Sequence, residues 1–445
     1  MLSMVPKIKC IFLSLFIIFP CLLFSACYDR REIDELAYPI AIGLDKGDGE
    51  VLRLTLQIVI PTKIGEGGEG GESECGGSGG AGSESVSIVT VEPPSIYSGL
   101  NMINTYVSKQ LNLSHVKAVI FSEELAREGI EKYIKAILRG REFRPTVYVL
   151  VARGTQNASE KFIREVKPEL ESNPAKYYEM IFGAHKYTGF TMETRLITFN
   201  QAMTSYNIQP VAVLAGVSKF KGSDELMVEN STCMQKGRNH PLAGDYLAGE
   251  MPKVGNLKTE VMGVAVFNGG KMVGEMDGEE TLFQHMVMGK YGHSYLTIPD
   301  PREKGKFVLL NLRQNRKPKT KVEVKGEKPI IDLKIRLEAD LLSIQSGINY
   351  ENVNNMRILE TATEEFLKEG IERMLKRTAK EFESDINGFG EIVKSKFLTW
   401  DEWVEFNWLE KYKKSSFNVG VDVEIRRSGH IIKTIPEQSN GGGLE

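Results

Sequence analysis

The sequence predicts a mixed α+β protein built from several domains. Three observations point there. The chain has 445 residues, too many for one core at about 150 residues per domain. Between residues 86 and 166 short apolar runs alternate with amphipathic segments, the order of β-α-β layers. After about residue 306 the pattern changes to long alternating strands and one long amphipathic helix.

The chain opens as an export signal. Lys7 and Lys9 form a basic start, Ile11–Phe24 is apolar apart from Ser14 and Pro20, and Ser25-Ala26 leads into Cys27. Basic, apolar and small-residue regions in that order mark a cleaved secretory segment, residues 1–26. The run is shorter than the roughly 18–20 apolar residues a bilayer-crossing helix needs, and Pro20 would kink such a helix. Leu23-Phe24-Ser25-Ala26-Cys27 is similar to the lipobox of bacterial lipoproteins, with Phe24 where Leu is usual. Cys27 is thus the expected lipidation site. Two acyl chains there would hold the chain firmly, where a single chain binds membranes only marginally.

Composition excludes several classes. The full sequence carries a net charge of −3, and losing Lys7 and Lys9 leaves the rest more acidic. No basic block marks a nucleic-acid partner. Of five cysteines, Cys10 and Cys21 leave with the signal and Cys27 is acylated. Cys75 and Cys233 remain, too few and too far apart for a disulfide scaffold.

Ala37–Leu44 and Val51–Ile60 read as a hairpin about Asp45–Gly49. Gly65–Gly82 has almost no apolar side chains and reads as a flexible loop. It lacks the Lys-Ser/Thr pair of a phosphate-binding loop, because Ser83-Glu84-Ser85 follows Gly82. Next come a strand at Val86–Glu92, a helix from Pro94-Ser95 to about Leu111, and a strand at Val116–Phe121. A helix over Glu123–Arg139 and a strand at Val147–Ala152 follow, and Asn157 is placed to cap a helix ending near Val166. Glu169–Thr188 reads as mostly helical. Strands at Val211–Gly216 and Val261–Phe267 turn through Asn268-Gly269-Gly270 into Lys271–Glu275, before a helix at Glu279–Met288.

In the last third, strands are expected at Phe307–Leu312, Lys319–Val324 and Ile330–Leu342. A helix over 354–385 carries an apolar stripe from Leu359 to Phe382, stopped by Asn387-Gly388-Phe389-Gly390. Helices near Glu391–Phe397 and Trp400–Tyr412 precede closing strands at Phe417–Arg427 and Ile431–Ile435. The resulting division is an N-terminal α/β domain at 27–200, a middle one at 201–305, a C-terminal one at 306–438, and a disordered tail at 439–445.

No catalytic constellation emerges. His115, His185, His240, His285, His293 and His430 are scattered without metal-ligand spacing, so neither zinc nor any other metal or cofactor is expected. No nucleophile elbow occurs. Asp277-Gly278-Glu279-Glu280 lacks the alternating oxygen ligands of a calcium loop and reads as a helix start. Trp400, Trp403 and Trp408 read as rings docked on the closing sheet, with a ligand-stacking or partner-binding surface as the alternative. Arg426 or Arg427 is placed to pair with the acidic Trp400–Glu410 helix.

Three stretches together resemble one family. They are Cys27–Ala37 running into Ile42–Lys46; Ser114–Phe121 followed by Glu123–Ile130, Arg139–Arg144 and Val147–Ala152; and Phe382–Gly390 completed by Val421–Gly429. Their order resembles the Ger(x)C spore germination lipoproteins, the C subunits of nutrient germinant receptors, from Cys27 to about Lys433. Tyr28 stands where that family commonly has Trp. The resemblance implies three mixed α/β domains, no enzymatic activity, and action beside two integral membrane subunits, A and B, at the spore inner membrane. The alternative class is a solute-binding lipoprotein of a transport system.

Overall fold

A computed structural model describes residues 32, 35–49, 51–60, 86–167, 170–171, 173–218, 236, 238, 241–427 and 434. The signal at 1–26, Cys27, the glycine-rich loop at 65–82, Cys75, Cys233, His240, His430 and the tail at 439–445 lie outside them.

The described strands form a nine-stranded and a five-stranded sheet. In the first, β1 (Leu36–Lys46), β5 (Ala118–Ser122), β6 (Tyr148–Ala152) and β7 (Val211–Val217) run parallel and adjacent. β2 (Leu52–Val59) and β3 (Val86–Val91) extend this core antiparallel on one side, and β8 (Thr259–Asn268) and β9 (Lys271–Met276) on the other. The two-residue strand β4 (Gln110–Leu111) pairs with the start of β1. The central strands are continuous apolar runs because both of their faces are covered. Val119, Phe121, Val149 and Val151 meet helices α1 (Ile96–Asn104), α2 (Glu123–Glu128), α3 (Glu131–Arg139) and α7 (Leu196–Met203). Ile120 and Leu150 point the other way, to α4 (Ala158–Glu165) and α5 (Pro174–Phe182). A one-turn helix α6 (His185–Thr188) follows α5.

The second sheet has the order β10 (His293–Pro299), β11 (Phe307–Arg313), β13 (Lys328–Ile344), β12 (Lys319–Lys325), with β14 (Ser416–Arg427) parallel to β13. Along β13 Ile331, Leu333, Ile335, Leu337 and Ala339 are buried and alternate with polar residues, so one face meets the core. Helix α8 (Gly278–Met288) is buried along nearly its whole length, and α9 (Val353–Lys380) packs across it. Val264 and Met276 of the first sheet share their apolar cluster with Leu333 and Leu337 of the second. Three short helices, α10 (Phe389–Lys394), α11 (Trp400–Phe406) and α12 (Trp408–Tyr412), close the second half.

The mixed, multidomain α+β class read from the sequence is what the structure shows. The expected middle domain at 201–305 has no described sheet of its own: β7–β9 continue the first sheet and β10 joins the second. Helix α1 stops at Asn104, short of Leu111, because Leu111 N–H binds the Asn104 side chain and Leu111 enters the ladder beside Ala37. The helix expected over Glu123–Arg139 breaks at Gly129, whose φ is +128°, and Ile130 N–H goes to Gly270 O at 2.8 Å. Asn157 itself takes φ 58° and makes no side-chain cap. Asp45, distant in sequence, caps α4 instead through Ser159 N at 3.0 Å, Ser159 Oγ at 2.6 Å and Glu160 N at 3.1 Å. Helix α7 and strand β10 had no legible sequence signal.

Close packing of α9 on α8 requires Gly370. A Cβ built there lies 2.3 Å from the ring of buried Phe283. Gly370→Ala would gain about 1 kcal/mol of helix propensity and incur about 1–3 kcal/mol of overpacking. The variant is therefore expected to unfold at lower urea, by about 1 kcal/mol with an unchanged m-value. A midpoint above wild type would show that α8 and α9 are not tightly apposed.

Candidate functional site

Two places draw distant residues together. The first is a crevice of about 740 Å³ at the carboxyl ends of the parallel strands. Glu123 and Glu124 follow β5, Arg153, Gly154 and Thr155 follow β6, and Val217 ends β7. The connection after β5 passes to one face of the sheet and the α4 connection after β6 to the other. Such a switch opens a gap between strand ends, the usual ligand position in open α/β sheets.

The charges in the crevice largely satisfy one another. Arg153 pairs with Glu275 at 3.1 Å and Glu250 at 3.2 Å, and donates to Ala248 O at 2.8 Å. Burial disfavours its charge, but Glu275 and Glu250 outweigh that and keep the guanidinium ionised. Burial pushes the Glu275 carboxyl up, with Arg153 pulling the other way. Arg127 pairs with Glu123 at 2.9 Å. Lys161 lines the crevice, is exposed, and makes no ion pair among the described residues. The arrangement can hold a small polar molecule; it contains no nucleophile beside a base.

The second place is the motif Phe382–Gly390. Asp385 is fully buried. Its carboxylate accepts N–H bonds from Gly388 and Gly390 at 2.9 Å, from Asn387 and Phe389 at 3.2 Å, and from Trp408 Nε1 at 2.8 Å. Burial pushes the Asp385 carboxyl up to about 6, opposed by the Trp408 and backbone donors. The motif also fastens the halves of the protein together. Gln209 N–H bonds Asp385 O at 2.8 Å, Ser384 Oγ bonds Phe267 O at 2.6 Å, and Asn207 Nδ2 bonds Glu391 at 2.9 Å. Gly390 has no room for a side chain, since a Cβ would lie 2.4 Å from Asn207 O. The expected glycine stop is therefore different in kind: α9 ends at Lys380, and Gly388, at φ 75°, begins α10.

Other expected residues separate. Trp403 and Trp408 are buried, whereas Trp400 is 53 % exposed, edge-on to Tyr206 at 5.8 Å. Arg426 pairs with Glu338 of β13 at 2.9 Å, not with the acidic helix, because it lies beside β13 in the parallel ladder. Asp277 does cap α8, in a capping box with Glu280. Around it Lys236 reaches Asp245 at 2.7 Å, Asp277 at 2.8 Å and Glu279 at 2.9 Å, and Arg238 reaches Asp245 and Glu279 at 2.7 Å. That buried network was not read from the sequence, where its members are scattered. His115 is exposed beside Tyr38, and His185 stacks on His285 at 6.4 Å. Among the described residues no group of three or more His, Cys, Asp or Glu could hold a metal ion.

The described residues thus combine a two-sheet α+β scaffold, a lined crevice and a buried carboxylate interlock. Comparisons with known proteins place these features in a family. A family model described as the spore germination protein N-terminal domain matches residues 29–217, and one described as spore germination B3/GerAC like, C-terminal, matches residues 262–429. The chain is 23 % identical over 423 residues to spore germination protein KC of Bacillus subtilis, covering 95 % of this chain and 96 % of that one. To spore germination protein B3 of the same organism it is 19 % identical, covering 93 % and 97 %. The crystal structure of the GerBC protein superposes with a TM-score of 0.50 at 14 % identity, covering 86 % of this chain and 96 % of that chain. The chain belongs to the Ger(x)C family of spore germination proteins.

Asp385→Ala leaves five donors without their acceptor. At about 1–3 kcal/mol for an unsatisfied buried group, the expected loss is about 3 kcal/mol or more in urea unfolding. A loss under about 1 kcal/mol would show that the interlock does not hold the halves. His285 gives a pH signature. Burial pushes its ring down to about 4, its Nε2 meets Thr191 O at 2.8 Å, and its Nδ1 has no partner. Between about pH 6.5 and 4 the unfolded chain takes up a proton that folded His285 refuses. Stability from this residue is therefore present above that window and falls by about 3 kcal/mol across it. Comparing wild type with His285→Gln isolates it from Asp385, whose raised carboxyl acts in the opposite sense. A pH-independent difference between the two proteins would refute a neutral, buried His285.

Proposed function

We propose that this chain is the lipid-anchored, non-enzymatic subunit of a spore nutrient germinant receptor. In this reading it sits at Cys27 on the outer face of the inner membrane, beside two integral membrane subunits. The observation that carries the proposal is that matches to germination-protein family models span both sheets, behind a sequence that starts with an export signal and Leu23–Cys27. The relatives named spore germination protein A3, B3 and KC support a receptor assembly. No described helix is long and apolar enough to cross a membrane; in this reading attachment is through Cys27 and contacts with the membrane partners.

The crevice keeps the solute-binding reading in play, since it has the size for an amino acid or sugar. Calorimetry on the mature chain against both classes decides it; micromolar binding would favour that reading. The receptor reading is tested by deleting the gene, which should abolish germination to at least one nutrient. Normal germination to every nutrient, in a strain without a redundant receptor, would refute it. Cys27→Ala should lose the lipid mass and remain folded, and should lose membrane retention wherever the partner subunits do not hold the protein.

A further inference from the structure

The four parallel strands of the first sheet all start at the same edge, opposite the crevice. Leu36 begins β1 there, five residues before Ala41, the level at which β5, β6 and β7 start, and the loops leading into β4, β6 and β7 lie at that end of the sheet. These loops expose an unusual set of side chains. The one before β4 carries Tyr106, 55 % exposed, and Lys109. The one before β6 carries Arg139, Arg141 and Arg144, all exposed and none in an ion pair among the described residues. Its one carboxylate is Glu142. The loop before β7 carries Tyr206, which touches Trp400. Beside Trp400 stand Leu398, 96 % exposed, and Lys394, whose ammonium lies 5.1 Å from the Trp400 ring.

We propose that this strand-start edge lies on an anionic lipid surface. The arginines meet headgroup phosphates, and Tyr106, Tyr206, Leu398 and Trp400 enter the interfacial layer. The proposal rests on the reading of Cys27 as the anchor, and chain length supplies the geometry. Eight residues lie between Cys27 and Leu36, nine chain steps with a reach of about 30 Å when fully extended at 3.3–3.6 Å per residue. Bringing the opposite edge to the bilayer would send the same residues back past all of β1, about 33 Å at strand rise. The strand-start edge therefore faces the membrane.

The chemistry of that edge fits this placement. Trp and Tyr favour the headgroup level, where one side of the ring is apolar and the other wet. Arginine is weakly hydrated and binds phosphate in a planar fork. A fully exposed leucine next to a half-exposed tryptophan gains by leaving water. The crevice at the other edge would then open away from the bilayer.

The test uses the full mature chain purified with Cys27→Ala, so that no acyl chain contributes, and vesicles of phosphatidylglycerol mixed with phosphatidylcholine. Trp403 and Trp408 are buried, so a blue shift of tryptophan emission on vesicle addition reports Trp400. The expected result is co-sedimentation with anionic vesicles, weakened by salt and absent with pure phosphatidylcholine. Replacing Arg139, Arg141 and Arg144 together with Gln should weaken binding about tenfold or more, whereas replacing all three with Lys should retain it. Leu398→Ser with Trp400→Ser should weaken binding while leaving the circular dichroism of wild type. Absence of binding to anionic vesicles overturns the proposal, as does binding that the Gln variants leave unchanged. Binding only to vesicles that contain the membrane subunits also overturns it and assigns the edge to those proteins. Mass spectrometry of the native protein for lipid on Cys27 is a separate readout. An unlipidated Cys27 with intact vesicle binding removes the anchor and leaves the surface standing.

Discussion

The carboxylate of Asp385 organises the junction on which the rest of the molecule depends. A long helix must end, a new one must begin, and the strands of two sheets must meet within a few residues. Each of those operations leaves backbone N–H groups without partners, and an unpaired buried donor costs more than most contacts return. One acceptor placed among four N–H groups and an indole satisfies them together. The residues around it reach Phe267 at the end of β8 through Ser384 Oγ, and the Asn207–Gln209 loop before β7 through Glu391 and the Asp385 carbonyl. The relative placement of the two sheets follows from this cluster of bonds and from the apolar layer of α8 and α9 beneath it.

The same economy of position explains the electrostatics. Several charges buried within the scaffold occur in mutually paired groups, such as Lys236 and Arg238 with three carboxylates, or Arg153 with two. Such groups fix geometry more than they stabilise it, because desolvation offsets much of their attraction. The arginines before β6 are of another kind. They remain exposed and unpaired among the described residues, at the edge where the chain arrives from Cys27. The three unpaired arginines stand on one edge, whereas both arginines of the crevice on the other are paired, and this gives the molecule a direction. One end suits a surface of phosphates, and the opposite end holds the crevice.

Much of the fold was legible in the residue pattern. Parallel strands buried on both faces are unbroken apolar runs such as Ala118–Ser122 and Tyr148–Ala152, while β13 alternates because one face is wet. The misread boundaries share one cause. Helix α1 stops early because Leu111 finds a strand partner at Ala37, and α9 stops early because Asp385 gathers the N–H groups ahead. In both cases the competing partner is remote or revealed only by side-chain geometry. The cap on α4 comes from Asp45, more than a hundred residues away, and not from adjacent Asn157.

The sequence by itself determined the fold class and the family motifs, because periodicity and local order encode them, and the expectation of an export signal ending at Cys27 rests on it alone. It did not show that β7, β8 and β9 complete the first sheet, that Trp400 stands apart from the other two tryptophans, or that Arg139, Arg141 and Arg144 share an edge with the start of β1. Those facts depend on which strands become neighbours and which loops lie at the same end. Neighbourhood across a sheet is set by long-range pairing and packing, to which a local pattern of residues is blind.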